Sequence, residues 1–351
     1  MQSLFNIINK PLGFILEGIA SFMGGSFAAA VFVFTLLINI ALIPLSVKSQ
    51  KSSVQQTRIK PKLDDLKKRY GDDRQKYNEA MQKIYTEEGV SPSGGCLPMI
   101  LRLVLMMSIY YLILSPLTYM SGVEKANIQS VNTVITENMT ELKKSDEAKY
   151  NKFKTTLNWR EGNVANELSI VNIVRSDSDV LKDLLSEKEY KKIEKDLLAI
   201  KEQDAKTDID YTFITDKINL TETPKFSFDI FNDWRPIWVM PILAFLAQIL
   251  SSLLSMAMQK KINPDAPSMA GMMLTMPLIS LFIGFGLPGG VAFYWACSSL
   301  VGGVIQVGVQ NFYGPHKMLS RERIKELSKQ CDFEAGQIKK LSANIEGEEN
   351  S

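Results

Sequence analysis

The chain has 351 residues, 46% hydrophobic and 22% charged, and its 40 basic and 38 acidic side chains leave a formal net charge of +2. Such a balance excludes a nucleic-acid-binding protein that works by bulk electrostatic attraction. One histidine and three cysteines, with no two cysteines at CxxC spacing, are too few for a His/Cys metal site.

The charged residues are segregated along the chain. No Asp, Glu, Lys or Arg occurs over the 51 positions 266–316, and neutral stretches of 30 and 24 positions cover 18–47 and 236–259. Apolar runs above about 18 residues are typical of bilayer-spanning helices. The sequence therefore predicts an all-α polytopic membrane protein.

The N-terminal segment, 1–25, predicts an apolar helix over Leu12–Met23 that follows Pro11 and lies at the outer membrane surface. Gly24-Gly25 would then turn the chain into the first span. The alternative is that Leu12–Met23 extends that span. The segment lacks a basic n-region and a small-residue cleavage site, so no cleavable signal peptide is expected.

Five transmembrane helices are expected. The longest neutral stretch must hold two of them, because Leu287-Pro288-Gly289-Gly290 near its middle is a strong turn signal. The predicted spans are 26–47, 94–117, 236–258, 269–287 and 288–310.

The distribution of Lys and Arg predicts the orientation. Three basic segments, 48–93, 259–268 and 311–351, all fall on the cytoplasmic side if the chain begins outside and ends inside. The remaining segment, 118–235, then lies outside, which its length permits regardless of its charge.

Two of these segments have helical spacing. A narrow apolar stripe in 48–93, interrupted by Gly71-Asp72-Asp73 as a turn and N-cap, predicts a charged cytoplasmic helical hairpin. This hairpin is either a solvated linker or a mobile arm that touches ribosome, substrate or phospholipid headgroups. The outer segment predicts a mostly helical extracellular insert with a thin core, from the spacing over Asp179–Lys206.

Arg102 lies inside the second predicted span, where a charge costs about 2.5 to 3.5 kcal/mol on insertion scales. It either reaches back to cytoplasmic phosphates or faces a hydrated cavity. Polar residues in other spans, among them Asn39, Gln248 and Ser252, outline a hydrophilic groove open to the cytoplasm. No span contains Asp or Glu, which argues against a proton- or cation-coupled transporter, and no catalytic motif or cofactor site is present.

Four stretches carry a resemblance to a known family, the YidC/Oxa/Alb membrane protein insertases. They are Phe34-Thr35 through Ile43-Pro44-Leu45, Pro61-Lys62-Leu63 through Tyr70-Gly71-Asp72-Asp73, Pro92-Ser93-Gly94-Gly95-Cys96-Leu97-Pro98 into Tyr110-Tyr111, and Leu287-Pro288-Gly289-Gly290 through Phe293-Tyr294-Trp295. The similarity covers nearly the whole chain except 122–223.

The resemblance implies an ATP-independent insertase of the bacterial plasma membrane. Its five helices would enclose a groove that draws in the polar segment of a nascent membrane protein and releases the hydrophobic helix into lipid. Nascent membrane proteins and the lipid bilayer would be its partners, with the ribosome and the Sec translocon as further candidates, and no specific nucleic acid.

The resemblance also implies groove positions. Thr35, Met106, Tyr294 and Trp295 match groove and substrate-contacting positions of the family. The family's groove arginine or lysine belongs where this chain has Asn39, and its usual glutamine where this chain has Arg102. We therefore expect the charge to have moved to the facing wall, beside Asn39.

Two other classes stay open at the level of sequence. One is a small anion-selective transporter or channel with Arg102 as its selectivity charge, for which an internal repeat would be expected; none is found. The other is a membrane assembly scaffold.

Overall fold

The computed structural model describes residues 2–71, 73–90, 97–159, 166–176, 180–229, 232–262 and 270–349. It divides into two compact units. The first comprises Met1–Ala41, Leu101–Leu254 and Pro267–Val304, and the second comprises Leu42–Ile100, Ser255–Ala266 and Ile305–Ser351.

The described residues are mostly α-helical. The N-terminal helices are α1 (Gln2–Phe22), α2 (Phe27–Ala41), α3 (Ile43–Tyr70), α4 (Arg74–Glu87), α5 (Leu97–Leu114) and α6 (Pro116–Tyr119). The insert contributes α7 (Lys125–Ser145), α8 (Glu147–Thr156), α9 (Glu167–Arg175), α10 (Val180–Leu184) and α11 (Glu187–Ala205). A 3₁₀ turn, Pro236–Trp238, precedes α12 (Val239–Ile262), α13 (Ala270–Phe285), α14 (Gly289–Tyr313) and α15 (Pro315–Glu349).

The structure also contains an antiparallel β-hairpin that the sequence did not predict. Its strands are β1 (Thr212–Phe213) and β2 (Thr215–Asn219). Ile214 forms the connection with a left-handed φ of 57°. The pair is too short for a period-two pattern to be recognisable. The class of a helical membrane protein is confirmed, with this hairpin as an addition.

The turn between α1 and α2 is the one that the glycine pair predicts. Gly24 and Gly25 have φ values of 68° and 83°, which L side chains rarely adopt. A Cβ at Gly25 would also lie 2.3 Å from the carbonyl oxygen of Asp208. Helix α1 is therefore a separate helix, and the alternative in which it extends α2 is wrong.

Helix α1 begins at Gln2, so Pro11 lies inside it rather than before it. An internal proline removes one backbone hydrogen bond, and tertiary contacts compensate for it here. Leu16 and Ala20 are buried against the core of the first unit. Tyr119 at the end of α6 donates its hydroxyl to Asn6 Oδ1 at 2.7 Å.

The insert has a larger core than its sequence indicated, so the prediction of a thin core is wrong. One face of α7 buries four apolar side chains at spacings of three and four, which are Ile128, Val131, Ile135 and Met139. Helices α9 and α11 pack on α7 and bury Ile170 and Ile193 completely. Leu198, which shares the helical spacing of Asp179–Lys206, is 56% exposed and does not contribute to this core.

The insert is fastened to the N-terminal ends of two apolar helices by backbone hydrogen bonds. The amide of Phe27, the first residue of α2, donates to Asp210 at 2.9 Å, and Asp210 donates to Gly25 at 2.8 Å. At the start of α14, Gly290 donates to Leu220 at 2.8 Å. These bonds satisfy amides that a helix start leaves unpaired.

The second unit contains the predicted helical hairpin. Helix α4 packs on α3, and α15 packs on α3 as well. Asp73 caps α4 by accepting a hydrogen bond from the amide of Lys76 at 3.1 Å, as its sequence predicted. Glu88 pairs with Lys62 and lies 4.0 Å from Arg58, which ties the end of α4 to the middle of α3.

Two helices in the described residues are long and apolar enough to cross a membrane, Pro236–Met258 and Gly289–Tyr313. A third span results if Phe27–Ala41 and Ile43–Gln56 are counted together. The described parts of two further apolar helices, Leu103–Leu114 and Leu274–Phe285, are shorter. The chain is therefore a helical membrane protein, and the count of five spans stays a prediction.

Candidate functional site

Two of the predicted groove residues lie one turn apart on α2. Thr35 is buried, and its hydroxyl donates to the carbonyl of Val31 at 2.6 Å. Asn39 Nδ2 donates in turn to the carbonyl of Thr35 at 2.8 Å. Each side chain thus donates one hydrogen bond within its own helix, which makes a polar group tolerable in apolar surroundings.

The amide of Asn39 also faces a neighbouring helix. A Cβ placed on Gly302 of α14 would lie 3.7 Å from Asn39 Oδ1, so the backbone of α14 approaches this oxygen closely. Glycine at such a position lets two helices come together and leaves an acceptor at their contact. Asn39 is half-buried, in keeping with a position between the packed interior and an open surface.

A second polar contact joins α12 and α13. The hydroxyl of Ser280 donates to Gln248 Oε1 at 2.8 Å and is also within 2.8 Å of the carbonyl of Pro277. Gln248 belongs to the predicted groove set, and Ser280 is its partner on the next helix. A side-chain hydrogen bond between two apolar helices fixes their relative position.

The two contacts are connected through α14. A Cβ added at Gly303 would lie 2.9 Å from Ser251 Oγ, so α12 packs directly against the glycine next to Gly302. Polar or small groups of four helices of the first unit are thereby juxtaposed, in the order Asn39 (α2), Gly302 and Gly303 (α14), Ser251 and Gln248 (α12), and Ser280 (α13). We call this set the polar seam.

The remaining predicted residues lie on the same helices or on α5. Ser252 is half-buried on α12, and Met106 on α5 is exposed. Tyr294 is buried on α14, and Trp295 beside it is partly buried. The structure places Tyr294 and Trp295 about two turns before Gly302 on α14.

Helices α5 and α14 each carry a buried polar atom that lacks a hydrogen-bond partner among the described residues. Among the described residues, Trp295 Nε1 and the hydroxyl of Ser108 on α5 have no hydrogen-bond partner although both atoms are inaccessible. Such groups cost about 1–3 kcal/mol each when left unsatisfied. They are therefore expected to meet water or a polar ligand atom.

The side chain of Arg102 lies outside the described residues, although its backbone belongs to α5. The expected pairing of Arg102 with Asn39 consequently stays a prediction. The described members of the polar seam contain no ionisable side chain, so they offer hydrogen bonds and no charge of their own.

Sequence reasoning missed the two glycines and Ser108. The available signal was the pair Gly302-Gly303 inside an apolar span, because adjacent small residues mark close helix contacts in membranes. A single serine such as Ser108 gives no comparable signal, since hydroxyls in apolar helices commonly bond to their own backbone.

Comparison with known proteins identifies the family that the chain resembles. A family model described as "60Kd inner membrane protein" matches residues 18–174 and 209–316. Curated relatives described as "Membrane protein insertase YidC" include the protein of Methylococcus capsulatus, 38% identical over 110 residues, and that of Alkalilimnicola ehrlichii, 35% identical over 108. A third, from Nitratidesulfovibrio vulgaris, is 37% identical over 111 residues.

These pairwise matches are local. They cover 31%, 31% and 32% of this chain and 20%, 19% and 20% of the three relatives in the same order. The chain therefore matches about a fifth of the length of each curated relative. The family model, in contrast, covers most of the chain on both sides of the interval 175–208. The chain belongs to the 60Kd inner membrane protein family.

Proposed function

We propose that the protein is a membrane protein insertase. It admits the polar segment of a nascent membrane protein into a hydrated intramembrane groove and lets the hydrophobic segment move sideways into lipid. The observation that carries this proposal is the polar seam, which provides hydrogen-bonding groups along otherwise apolar helices. The similarity to curated relatives described as membrane protein insertases supports the same proposal.

Such a groove lowers the free-energy barrier to moving a polar segment across the membrane. A polar segment that crosses the hydrocarbon core loses its hydration, and each unsatisfied backbone group costs several kcal/mol there. The amides of Asn39 and Gln248 can donate and accept, so they can replace part of the lost water. Transfer of the apolar helix into lipid is then favourable by the hydrophobic effect, without nucleotide hydrolysis.

The membrane arrangement belongs to the same proposal. Five helices, α2 with the start of α3, α5, α12, α13 and α14, would cross the membrane with the N-terminus outside and the C-terminus in the cytoplasm. The insert between α5 and α12 would then lie outside and the helical hairpin inside. The ribosome and the Sec translocon are the partners expected to deliver client chains on the cytoplasmic side.

Arg102 would supply the positive charge of the groove. A guanidinium near Asn39 would attract acidic and polar groups of the client and could not relay protons as a carboxylate does. Thr35, Ser252, Met106, Tyr294 and Trp295 would form the wall along which the client helix slides.

The decisive experiment measures insertion of a single-span client into proteoliposomes that contain the purified full-length protein. We expect Arg102→Gln to lose most of the insertion, and Asn39→Arg in the Arg102→Gln background to restore it. Lys10→Gln is a matched control, because it removes an equal charge from an exposed position on α1.

Full insertion by Arg102→Gln would mean that the guanidinium only reaches to cytoplasmic phosphates. Equal loss in Arg102→Gln and in the control would assign the effect to net charge. Salt flux through the same proteoliposomes without a client would instead support an anion channel.

A further inference from the structure

Helix α15 carries an exposed apolar stripe. The helix packs on α3, but three large apolar side chains in its middle are exposed, which are Ile324, Leu327 and Ile338. Their spacing places them on one face of the helix together with Cys331, which is exposed as well. Apolar side chains that form a continuous exposed stripe mark a surface for a partner.

The stripe follows a seven-residue repeat, abcdefg, in which Ile324 is position a. The a positions are then Ile324, Cys331, Ile338 and Ile345, and the d positions are Leu327, Glu334 and Leu341. Glu334 is the one charged residue among these seven. A repeat of this length is typical of a helix that packs along another helix, so the partner that fits the stripe is helical.

The residue types also indicate how many helices pair. Isoleucine occupies three of the four a positions, and leucine occupies two of the three d positions. Branching at the β carbon at position a, combined with leucine at position d, favours two parallel strands over three or four. The stripe is therefore suited to a two-stranded parallel coiled coil.

The flanks of the stripe favour a second copy of this chain as the partner. The e and g positions between 324 and 345 are uncharged, since they are Ser328, Ala335, Ser342, Gln330, Gln337 and Asn344. Apart from Glu334, the charged residues of this segment occupy positions b, c and f, on the outer side of a coiled coil. Two identical helices can thus approach without repulsion between their e and g positions.

The membrane makes the parallel arrangement the natural one. Helix α14 is long and apolar enough to cross a membrane, and α15 begins at Pro315, directly after Gly314. Two copies of a membrane protein share one orientation, so their α15 helices begin at the same membrane surface. Equal residues of the two helices can then lie side by side.

We propose that the protein forms a homodimer in which α15 pairs with α15 of a second copy, as a parallel, in-register coiled coil over 324–345. Glu334 of each copy would face its counterpart, which weakens the dimer but disfavours other registers, because a polar core residue specifies the pairing at a cost in stability. The inference rests on the membrane-protein class and goes beyond the proposed insertase function.

Cys331 allows a direct test, because two cysteines at position a are neighbours in such a dimer. A disulfide requires Cα atoms about 4.4–6.8 Å apart. Membranes from cells that produce the full-length protein are oxidised with oxygen and copper phenanthroline, and the linked dimer is quantified on a gel without reductant. We expect a linked dimer in the wild type that Cys331→Ser abolishes.

Cysteines at other positions test the arrangement of the helices. In the Cys331→Ser background, Leu327→Cys at position d should form the dimer about as fast as Cys331 does. Lys329→Cys, at position f on the outer side, should react at least about tenfold more slowly, because the two thiols point away from each other. A Cys331 disulfide without a Leu327→Cys disulfide would indicate antiparallel helices and would overturn the proposal.

Two matched lysine variants test the stripe itself. Ile338, at position a, and Phe333, at position c outside the stripe, are 66% and 68% exposed. Ile338→Lys places a charge in the core and should reduce the Cys331-linked dimer by about tenfold, whereas Phe333→Lys should leave it unchanged. Glu334→Leu should increase the amount of dimer, because it replaces two opposed carboxylates with apolar contacts.

Equal rates for Leu327→Cys and Lys329→Cys would assign the disulfides to random collision and overturn the proposal. Equal effects of Ile338→Lys and Phe333→Lys would also overturn it. If Cys331 formed no disulfide and resisted a water-soluble maleimide, the stripe would be covered by another segment or protein instead of a second copy. Arg102→Gln, which tests insertion, should form the linked dimer like the wild type, so the two proposals can fail separately.

Discussion

Glu167, at the start of α9, accepts two hydrogen bonds from Thr118 of α6, one from the backbone amide at 2.9 Å and one from the hydroxyl at 2.7 Å. The two residues are 49 positions apart in the chain. The carboxyl group thus caps the short helix that follows α5 and joins the insert to it. The burial of the Glu167 carboxyl raises its pKa from 4.5 to about 7, although the hydrogen bonds from Thr118 oppose the shift.

The first prediction is a pH dependence of stability. Because the pKa of Glu167 is higher in the folded than in the unfolded protein, folding favours the protonated form. The contribution of Glu167 to the free energy of unfolding should therefore be largest below about pH 4.5, decrease as the pH rises to about 7 and then level off. The total change in this contribution is at most about 3 kcal/mol. Thermal unfolding of the full-length protein in detergent, followed from pH 4.5 to 8, measures it.

Glu167→Gln should remove this dependence, because glutamine has no proton to lose and can still accept from the Thr118 amide. The control is Glu202→Gln, an exposed acidic residue of α11. An unchanged pH profile in Glu167→Gln would mean that another group titrates in this range.

The second prediction concerns the adjacent glycines of α14. A Cβ at Gly303 would lie 2.9 Å from Ser251 Oγ, whereas a Cβ at Gly302 would lie at an ordinary 3.7 Å from Asn39 Oδ1. Gly303→Ala should therefore destabilise the protein by about 1–3 kcal/mol through overpacking. Gly302→Ala should be neutral or slightly stabilising, because alanine is the better helix former.

Unfolding in increasing SDS at constant total detergent measures both variants. Ser251→Ala in the Gly303→Ala background should restore part of the stability, because it removes the nearer oxygen. Equal effects of the two alanines would contradict the close approach of α12 to Gly303.

The structure explains why some features could be predicted and others could not. The Gly24-Gly25 turn and the Asp73 cap depend on neighbours in the chain, so residue type suffices to predict them. The backbone that approaches Asn39 Oδ1 belongs to Gly302, 263 positions away along the chain. Which residue of α14 lies there depends on how α2 and α14 pack. The hydrophobic periodicity of the two helices does not predict this contact.

The start of α1 shows the opposite case, in which a local signal is overridden. Pro11 predicts a helix boundary, but the packing of Leu16 and Ala20 stabilises a helix that runs through it.

The sequence underestimates the size of the insert's core for another reason. Ile128, Val131, Ile135 and Met139 have clear helical spacing, but many polar residues lie between them, and their partners are on α9 and α11.

A third prediction tests the hydrogen bond between Ser280 and Gln248. In a double-mutant cycle of Ser280→Ala and Gln248→Leu, we expect a coupling free energy of about 0.6 kcal/mol, with about 1.7 kcal/mol as an upper limit. The same cycle with Ser252→Ala in place of Ser280→Ala is the control. Coupling equal in the two cycles would show that Gln248 acts through α12 alone.

The last prediction concerns the ion pair within the insert. Arg175 Nε donates to Asp204 Oδ2 at 2.6 Å, its Nη1 donates to the carbonyl of Ile209 at 2.5 Å, and its Cζ lies 4.8 Å from the centroid of the Tyr211 ring. Asp204 is 3% exposed and also accepts a hydrogen bond from the hydroxyl of Ser121 at 3.2 Å, so Arg175 supplies the charge that balances its carboxylate. Arg175→Met should lower the free energy of unfolding by about 3–5 kcal/mol, because it leaves a buried carboxylate unpaired.

Arg175→Met/Asp204→Leu should regain much of that loss, because the second change removes the orphaned charge. Chemical denaturation of the full-length protein in detergent measures the three free energies. Lys191→Met is the control, since it breaks an exposed pair with Glu187 that is worth well under 1 kcal/mol. If the double variant were as unstable as Arg175→Met, the bond to Ile209 and the contact with Tyr211 would carry the stabilisation instead of the ion pair.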